Sequence, residues 1–257
     1  MGTTPPAASS PRSPRCPATF TAMTTSPHVG TLREKPLHAD LKRWYCQPGD
    51  TFEQPVDGFV VDVVRGDLLI EIQTRSFSSI KRKLTALLPH HHVRMVHPIA
   101  VEQWIVKVDD TGEILSRRKS PKRGTAHDLF AELVSFPEML ADPHLSLEIL
   151  FVRTQQVRRF DPKKAWRRKG WVVEENQLLE VTGSLTVRST EDLADLLPDS
   201  LPDEFTTADL ASTLRCTRRL AQQMAYCLRR TGGVEVVGKD GRAVLYRRTL
   251  HGSPPTN

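Results

Sequence analysis

The sequence predicts an α/β protein in which a mixed sheet is flanked by helices and followed by a smaller C-terminal domain. Two runs rich in β-branched residues, 59–64 and 68–74, flank a short break at Gly66 and Asp67, which is typical of a β-hairpin. Stretches with apolar residues at helical spacing lie before and after these predicted strands. The segment 190–248 then contains three helical stretches and a second predicted hairpin.

The first hairpin places two acidic residues opposite each other. Gly at the first position of a two-residue loop suits a type II′ turn, which pairs Arg65 with Leu68 and Asp62 with Glu71. Like charges in this position destabilise a sheet, and a divalent cation such as Mg²⁺ would relieve the repulsion because it prefers carboxylate oxygens. A solvated sheet edge, or a register shifted by one residue, are the alternatives. The pleat puts the two carboxylates on one face of the hairpin, together with Val60, Val64, Leu69 and Gln73. The opposite, apolar face carries Phe59, Val61, Val63, Ile70 and Ile72.

An Asp on one strand, Glu-x-Lys or Glu-x-Gln on the next strand and a helix after it form the core motif of the PD-(D/E)XK nuclease superfamily. Asp62, the run Glu71-Ile72-Gln73 and a predicted helix over 77–88 resemble this motif, and the resemblance spans about residues 32–109. It implies a restriction-endonuclease-like sheet in which Asp62 and Glu71 hold Mg²⁺ or Mn²⁺ for hydrolysis of phosphodiester bonds in DNA. Gln73 stands where the superfamily usually has Lys. It would orient the attacking water, but a positive charge near that water is missing.

Further metal ligands are sought on the predicted helix that precedes the hairpin. In the superfamily that this sequence resembles, such a helix often carries a Glu that reaches the metal. Glu34 is the candidate by position and Glu53 is a second candidate, while a solvated charge is the alternative for either residue. His92 and His97 are more distant ligand candidates.

The charge balance favours a polyanionic partner. Lys and Arg number 36 against 30 Asp and Glu, which gives a net charge of +6. Arg75, Lys81 and Lys83 directly follow the acidic strand, so they are predicted to approach DNA phosphates, with a solvated helix face as the alternative. The basic segment 116–124 is predicted to be an exposed loop that suits phosphate contact or a plain linker. The segment 161–171 interleaves basic residues with Trp, for nucleic-acid stacking or for packing at a domain junction.

The C-terminal segment resembles a winged helix-turn-helix domain in the order of its elements. A short helix over 191–197, a helix capped by Thr206 or Thr207, a longer helix and a hairpin over 234–247 follow one another. In DNA-binding members the third helix enters the major groove, and many other winged helices bind only proteins. Its predicted exposed residues here are Arg218, Arg219, Gln222 and Gln223.

The predicted organisation has five parts. Residues 1–30, rich in Pro, Ser, Thr and Ala, are expected to be a disordered tail, and translation starting at Met23 is left open. A nuclease-like core over 31–160, a basic connecting segment over 161–189, a winged helix over 190–249 and a second tail over 250–257 complete it. Four cysteines without a Cys-x-x-Cys pair, no apolar run of about 18 residues and no secretory signal predict a cytoplasmic protein that does not bind membranes.

The leading functional hypothesis is a Mg²⁺-dependent DNA endonuclease. The alternative is a catalytically inactive DNA-binding regulator that keeps the nuclease-like scaffold, and Gln73 is its best support. An interaction adaptor without nucleic acid is a third hypothesis. The sequence leaves a homodimer open.

Overall fold

A seven-stranded sheet forms the centre of the protein. The computed structural model describes residues 36–161, 163 and 169–249. The strands of the sheet, in chain order, are β1 (Thr51–Val56), β2 (Phe59–Arg65), β3 (Leu68–Ile72), β4 (His92–Val108), β5 (Ile114–Lys119), β6 (Leu145–Phe160) and β7 (Trp171–Val187). The helices around it are α1 (Pro36–Tyr45), α2 (Lys81–Leu87) and α3 (Leu129–Leu133).

The strand order is β1-β2-β3-β4-β6-β7. Strand β5 pairs with the later part of β4, beyond the residues of β4 that pair with β3. Strands β1, β2 and β3 form an antiparallel meander, whereas β4 is parallel to both β3 and β6. A parallel pair needs a crossover connection, and α2 supplies it between β3 and β4. The predicted α/β class, with a large mixed sheet flanked by helices, is confirmed.

The two faces of the sheet bury separate apolar clusters. Helix α1 covers one face, where Leu41 and Tyr45 pack with Ile70, Ile72 and other strand residues. The opposite face is covered by α2, α3 and the C-terminal helices, and its cluster includes Leu69, the neighbour of Ile70 in the sequence. This alternation along β3 follows from the pleat.

The first hairpin has the predicted register from the turn as far as Val63, which pairs with Ile70. The predicted pair of Asp62 with Glu71 lies one position further and is not part of this ladder. Gly66 has a φ of 55°, and Arg65 pairs with Leu68. Val61 was predicted on the same face as Val63, which is wrong, because Val61 is buried in the cluster of Leu69 and Val63 in the cluster of Ile70. The cluster in which β2 is buried therefore changes between these two valines, at Asp62. The β1 residue facing this point, Glu53, has a φ of 50°, and pairing between β2 and β3 ends at Val63.

Three strands extend further than the sequence predicts. The predicted strands 93–98 and 103–108 are one strand, β4, with a bulge between Ala100 and Glu102. Part of the predicted loop 116–124 is β5, and most of the predicted connecting segment 161–189 is β7. All six residues of β5 are exposed, so its sequence lacks the alternation that identifies a half-buried strand.

These long strands continue past the end of β3. Ile72, the last residue of β3, pairs with Val96, and β4 runs on to Val108. The part of the sheet beyond this point is called the overhang. It consists of β5, of β4 after residue 100, of β6 after residue 152 and of β7 before residue 181.

The C-terminal segment packs against the large sheet. Its elements are α4 (Thr190–Ala194), β8 (Glu204–Phe205), α5 (Thr207–Thr213), α6 (Arg218–Arg230), β9 (Val234–Asp240) and β10 (Ala243–Arg248), and its strands form a sheet in the order β8-β10-β9. Thr206 caps α5 as predicted, accepting hydrogen bonds from the backbone of Ala208 and Asp209. Met224 and Leu228 of α6 belong to the same buried cluster as Leu69 of β3. In the described part of the chain, every helix is too short or too polar to span a bilayer.

Gly124, which follows β5, packs closely against β4, and a substitution at this position tests that packing. A Cβ at this position would lie 2.6 Å from Ile99 Cγ2 and 2.8 Å from the backbone oxygen of Ala100. Because a backbone atom cannot move aside cheaply, Gly124→Ala should lower the free energy of unfolding by about 1–3 kcal/mol. Gly238→Ala is the matched control, since nothing lies within 4 Å of its Cβ position. Equal stability of the two variants in denaturant titrations would contradict this packing.

Candidate functional site

The acidic residues of the first hairpin are in contact at the end of β3. The backbone N–H of Asp62 donates a hydrogen bond to Glu71 Oε1 at 3.3 Å, and the backbone N–H of Ile72 donates to Asp62 Oδ2 at 2.8 Å. Only 5% of the surface of Glu71 is exposed. The turn at Gly66 therefore brings two carboxylates together in a poorly hydrated place.

Lys83 of α2 provides a positive charge beside Glu71. Its ammonium group forms an ion pair with Glu71 Oε1 and donates a hydrogen bond to the backbone oxygen of Val60 at 2.6 Å. Lys83 was predicted to extend towards DNA, but its side chain is largely buried against the acidic strand. The cation that the Glu71-Ile72-Gln73 run lacks thus comes from the following helix.

His38 of α1 contacts the other carboxylate. Its Nε2 lies 3.2 Å from Asp62 Oδ2. This residue was not predicted as part of the site, although a signal was present: His38 precedes the buried residues Leu41 and Tyr45 at helical spacing. His38 therefore lies on the buried side of α1 and faces the hairpin.

The environments of the two carboxyl groups move their pKa values apart. Burial acts to raise the pKa of Asp62, but the hydrogen bond and charge of His38 and the N–H of Ile72 outweigh burial and leave that pKa below its ordinary value. Burial, together with the negative charge of Asp62, raises the pKa of Glu71 to about 7 despite the nearby Lys83. One carboxyl group is therefore ionised near neutral pH while the other exchanges its proton there.

Gln73 is occupied at the turn that follows β3. Its amide nitrogen donates to the backbone oxygen of Ser76 at 2.6 Å and to Ser79 Oγ at 2.7 Å. Its backbone oxygen lies 2.7 Å from Nδ1 of His97, and burial lowers the pKa of that histidine. Gln73 thus anchors the chain that leads into α2, and only its amide oxygen is available for the predicted contact with water.

The remaining predicted metal and phosphate residues are dispersed. Glu34 lies outside the described residues. Glu53 forms an ion pair with Lys42 at 2.9 Å, and Lys81 donates to the backbone oxygen of Ser135 at 3.2 Å. Arg75 is exposed and lines a cleft of about 210 Å³ between the start of α1 and β7.

The donor set at the site is small. Among the residues that the structure describes, no group of three or more His, Cys, Asp and Glu side chains is arranged to hold a metal ion. Mg²⁺ is commonly bound by one or two carboxylates, with waters and substrate phosphates as its other ligands. Asp62 and Glu71 fit that mode of binding, because a cation between them would offset their mutual repulsion.

The exposed side of α6 carries a stripe of polar side chains. Arg219, Gln222, Tyr226 and Arg229 recur at helical spacing and are all exposed. Arg218 is also exposed, as predicted. Gln223 is half-buried and donates to the backbone oxygen of Ala131, so its predicted exposure is wrong.

Residues 35–188 match the family model described as Domain of unknown function (DUF8091). The chain belongs to this family. It is also 33% identical over 234 residues to an uncharacterized protein of Treponema pallidum (strain Nichols), and the aligned region covers 88% of this chain and 91% of that protein. No solved structure matches the chain significantly. The DUF8091 domain contains His38, Asp62, Glu71 and Lys83, whereas the similarity to the Treponema protein extends beyond it.

The raised pKa of Glu71 predicts a specific pH dependence of stability. An ordinary Glu has a pKa of 4.5, against about 7 here, so the folded chain retains a proton that the unfolded chain loses between these values. The stability that this proton provides is complete below pH 4.5 and is lost as the pH rises through 7, up to roughly 3 kcal/mol. Glu71→Gln should remove this loss, so that the variant is more stable than the wild type at pH 8.

Denaturant titrations between pH 5 and pH 8, without divalent cations, measure this effect. Glu53→Gln is the control, because Glu53 is an acidic residue of the same meander that is paired with Lys42. If the wild type and Glu71→Gln lose stability in parallel over this range, Glu71 is not the buried proton-binding group.

Proposed function

We propose that this DUF8091 protein is a metal-dependent nuclease that hydrolyses phosphodiester bonds in DNA. The observation that carries the proposal is the contact between Asp62 and Glu71, with a pKa of about 7 at Glu71. Buried pairs of acidic groups with separated pKa values are characteristic of functional sites. Lys83 adds a cation to the same place, which suits a site that handles phosphate.

The order of elements around the pair supports the restriction-endonuclease-like form of this proposal. Helix α1 precedes the meander, the two carboxylates follow on adjacent strands, and α2 connects β3 to the parallel strand β4. This is the arrangement that the resemblance to the PD-(D/E)XK superfamily implies. The contact of His38 with Asp62 puts a side chain of α1 at the position where that resemblance predicts a helical Glu.

Each residue of the site has a distinct proposed role. Asp62 and Glu71 would hold Mg²⁺ or Mn²⁺, and such an ion, when bound, lowers the pKa of its water and neutralises charge that develops on the phosphate. His38 fixes Oδ2 of Asp62. Lys83 can exchange its contact with Glu71 for a phosphate oxygen, and Gln73 holds the turn that positions α2.

The first test is cleavage of DNA in the presence of Mg²⁺ or Mn²⁺. Asp62→Asn and Lys83→Gln should each lower the cleavage rate by at least about 100-fold, because the first weakens the hold on the metal ion and the second removes a cation that can contact the phosphate. Lys81→Gln, on the same helix but bonded to Ser135, should cleave at the wild-type rate.

Cleavage that persists in Asp62→Asn would refute the site. DNA binding without cleavage by the wild type would instead favour the catalytically inactive, DNA-binding regulator. Plasmid, single-stranded and branched DNA should all be assayed, since the hairpin geometry does not discriminate among them.

We further propose that the C-terminal elements bind DNA as a winged helix. The order α4, β8, α5, α6 and the hairpin β9–β10, with the sheet order β8-β10-β9, supports this form. Helix α6 is then the helix that enters the major groove. Its exposed stripe supplies Arg and Gln side chains, which bond base edges and phosphates.

Substitutions on α6 test this second part. Arg219→Gln combined with Arg229→Gln should weaken binding to duplex DNA by at least about 10-fold, because two charged contacts are lost. Arg230→Gln is the matched control, since Arg230 is an exposed arginine of the same helix that is already paired with Glu138. Affinity measured by fluorescence polarisation that is equal in all three proteins would place recognition elsewhere.

A further inference from the structure

The overhang carries a row of basic side chains that the proposed site does not use. Arg117, Arg118 and Lys119 of β5 are all exposed, and Lys122 and Arg123 follow directly. Two of these five cations are paired with one carboxylate, that of Glu102, which contacts Lys119 at 2.5 Å and Arg123 at 3.4 Å. The row therefore keeps a large positive excess at a sheet edge.

The row is held in a fixed orientation by an aromatic side chain. The guanidinium of Arg117 lies over the ring of Trp104 at 4.5 Å from its centroid, and the ammonium of Lys119 lies at 5.8 Å. The indole N–H of Trp104 donates to Glu102 Oε1 at 3.0 Å. Such cation–π contacts fix a cation without neutralising its charge, so these groups remain able to bind an anion.

Charged residues on an edge strand also prevent pairing with other chains. That role is served by either sign of charge, and natural edges mix them. The run of five cations within seven residues, 117–123, is of one sign, which fits a polyanion. Since Arg117 pairs with Val106 and Arg118 with the adjacent Ile105, the row presents cations on both faces of the edge.

The row lies at a defined distance from the two carboxylates. Glu71 pairs with Met95, and Val106 pairs with Arg117. Met95 and Val106 are eleven residues apart along β4, which corresponds to about 36 Å at roughly 3.3 Å for each residue and to about eleven base pairs at 3.4 Å each. Duplex DNA is stiff over this length, because its persistence length is about 50 nm.

We propose that the basic row of β5 binds the phosphate backbone of duplex DNA about eleven base pairs away from the bond that is cleaved. This inference rests on the proposed nuclease function and specifies its substrate class. The substrate is a duplex that extends along the overhang on one side of the site, rather than a nucleotide or a short oligonucleotide.

Two measurements on the full-length protein test the proposal. The first is the dependence of affinity for a 36-bp duplex on salt concentration, without divalent cations. Each phosphate contact contributes about 0.9 to the slope of the logarithm of the binding constant against the logarithm of the salt concentration. Arg117→Gln combined with Arg118→Gln should therefore reduce the magnitude of this slope by roughly 2. The matched control is Arg153→Gln with Arg159→Gln, two arginines of the same overhang that are paired with Glu180 and Glu174.

The second measurement compares cleavage of the 36-bp duplex with that of a 12-bp duplex, which reaches only about 20 Å to either side of its centre. The 117/118 variant should cleave the short duplex like the wild type and lose the gain in kcat/KM that the long duplex gives. Thermal unfolding of both double variants at the wild-type temperature establishes that the fold is intact.

The outcomes separate the two proposals. If both double variants keep the wild-type salt slope, or if the 117/118 variant loses cleavage of both duplexes equally, the distant phosphate contact is refuted while cleavage by Asp62 and Glu71 stands. A reduced slope in the 117/118 variant alone, with no cleavage by the wild type, supports the basic row as a DNA surface and refutes the nuclease. A wild-type protein that binds no duplex at low salt refutes both.

Discussion

The close approach of two acidic residues, the buried Glu71 and the half-buried Asp62, is the constraint on which the rest of this structure depends. Asp62 and Glu71 repel each other in a place that water does not reach freely, and the fold answers with a basic group from each side of the sheet. His38 approaches Asp62 from α1, and Lys83 approaches Glu71 from α2. The two helical layers bury separate apolar clusters, but each layer contributes one side chain that contacts an acidic residue at the end of β3.

This arrangement is costly in stability, which argues that it is kept for another reason. A hydrophobic pair at these positions would extend the apolar clusters that already contain Val61 and Ile70. Instead the chain retains an acid whose pKa is raised to about 7. Natural proteins commonly accept such a local cost at functional sites.

The sequence predicted the features that depend on local signals. The glycine turn, the contact of Asp62 with Glu71, the cap at Thr206 and the buried stripe of α6 all follow from residue type and spacing. The change of face at Val61 does not, because the sequence of β2 alternates regularly through this point while Val61 and Val63 join different buried clusters. The overhang was missed for a related reason: β5 buries nothing, so only its pairing with β4 defines it. Lys83 was correctly predicted to lie on the helix after β3, but its ion pair with Glu71 of β3 was not predicted.

The C-terminal elements are joined to the site by packing rather than by a flexible linker. The backbone N–H of Phe77, at the start of the turn into α2, donates to Glu132 of α3. One residue earlier, Ala131 accepts a hydrogen bond from Gln223 of α6. Helix α3 thus contacts both the segment that leads to Lys83 and the helix with the exposed arginine stripe. Because α6 also shares its buried cluster with β3, DNA bound along α6 would have one set position relative to Asp62 and Glu71. Two domains connected only by a linker would lack that geometric restriction.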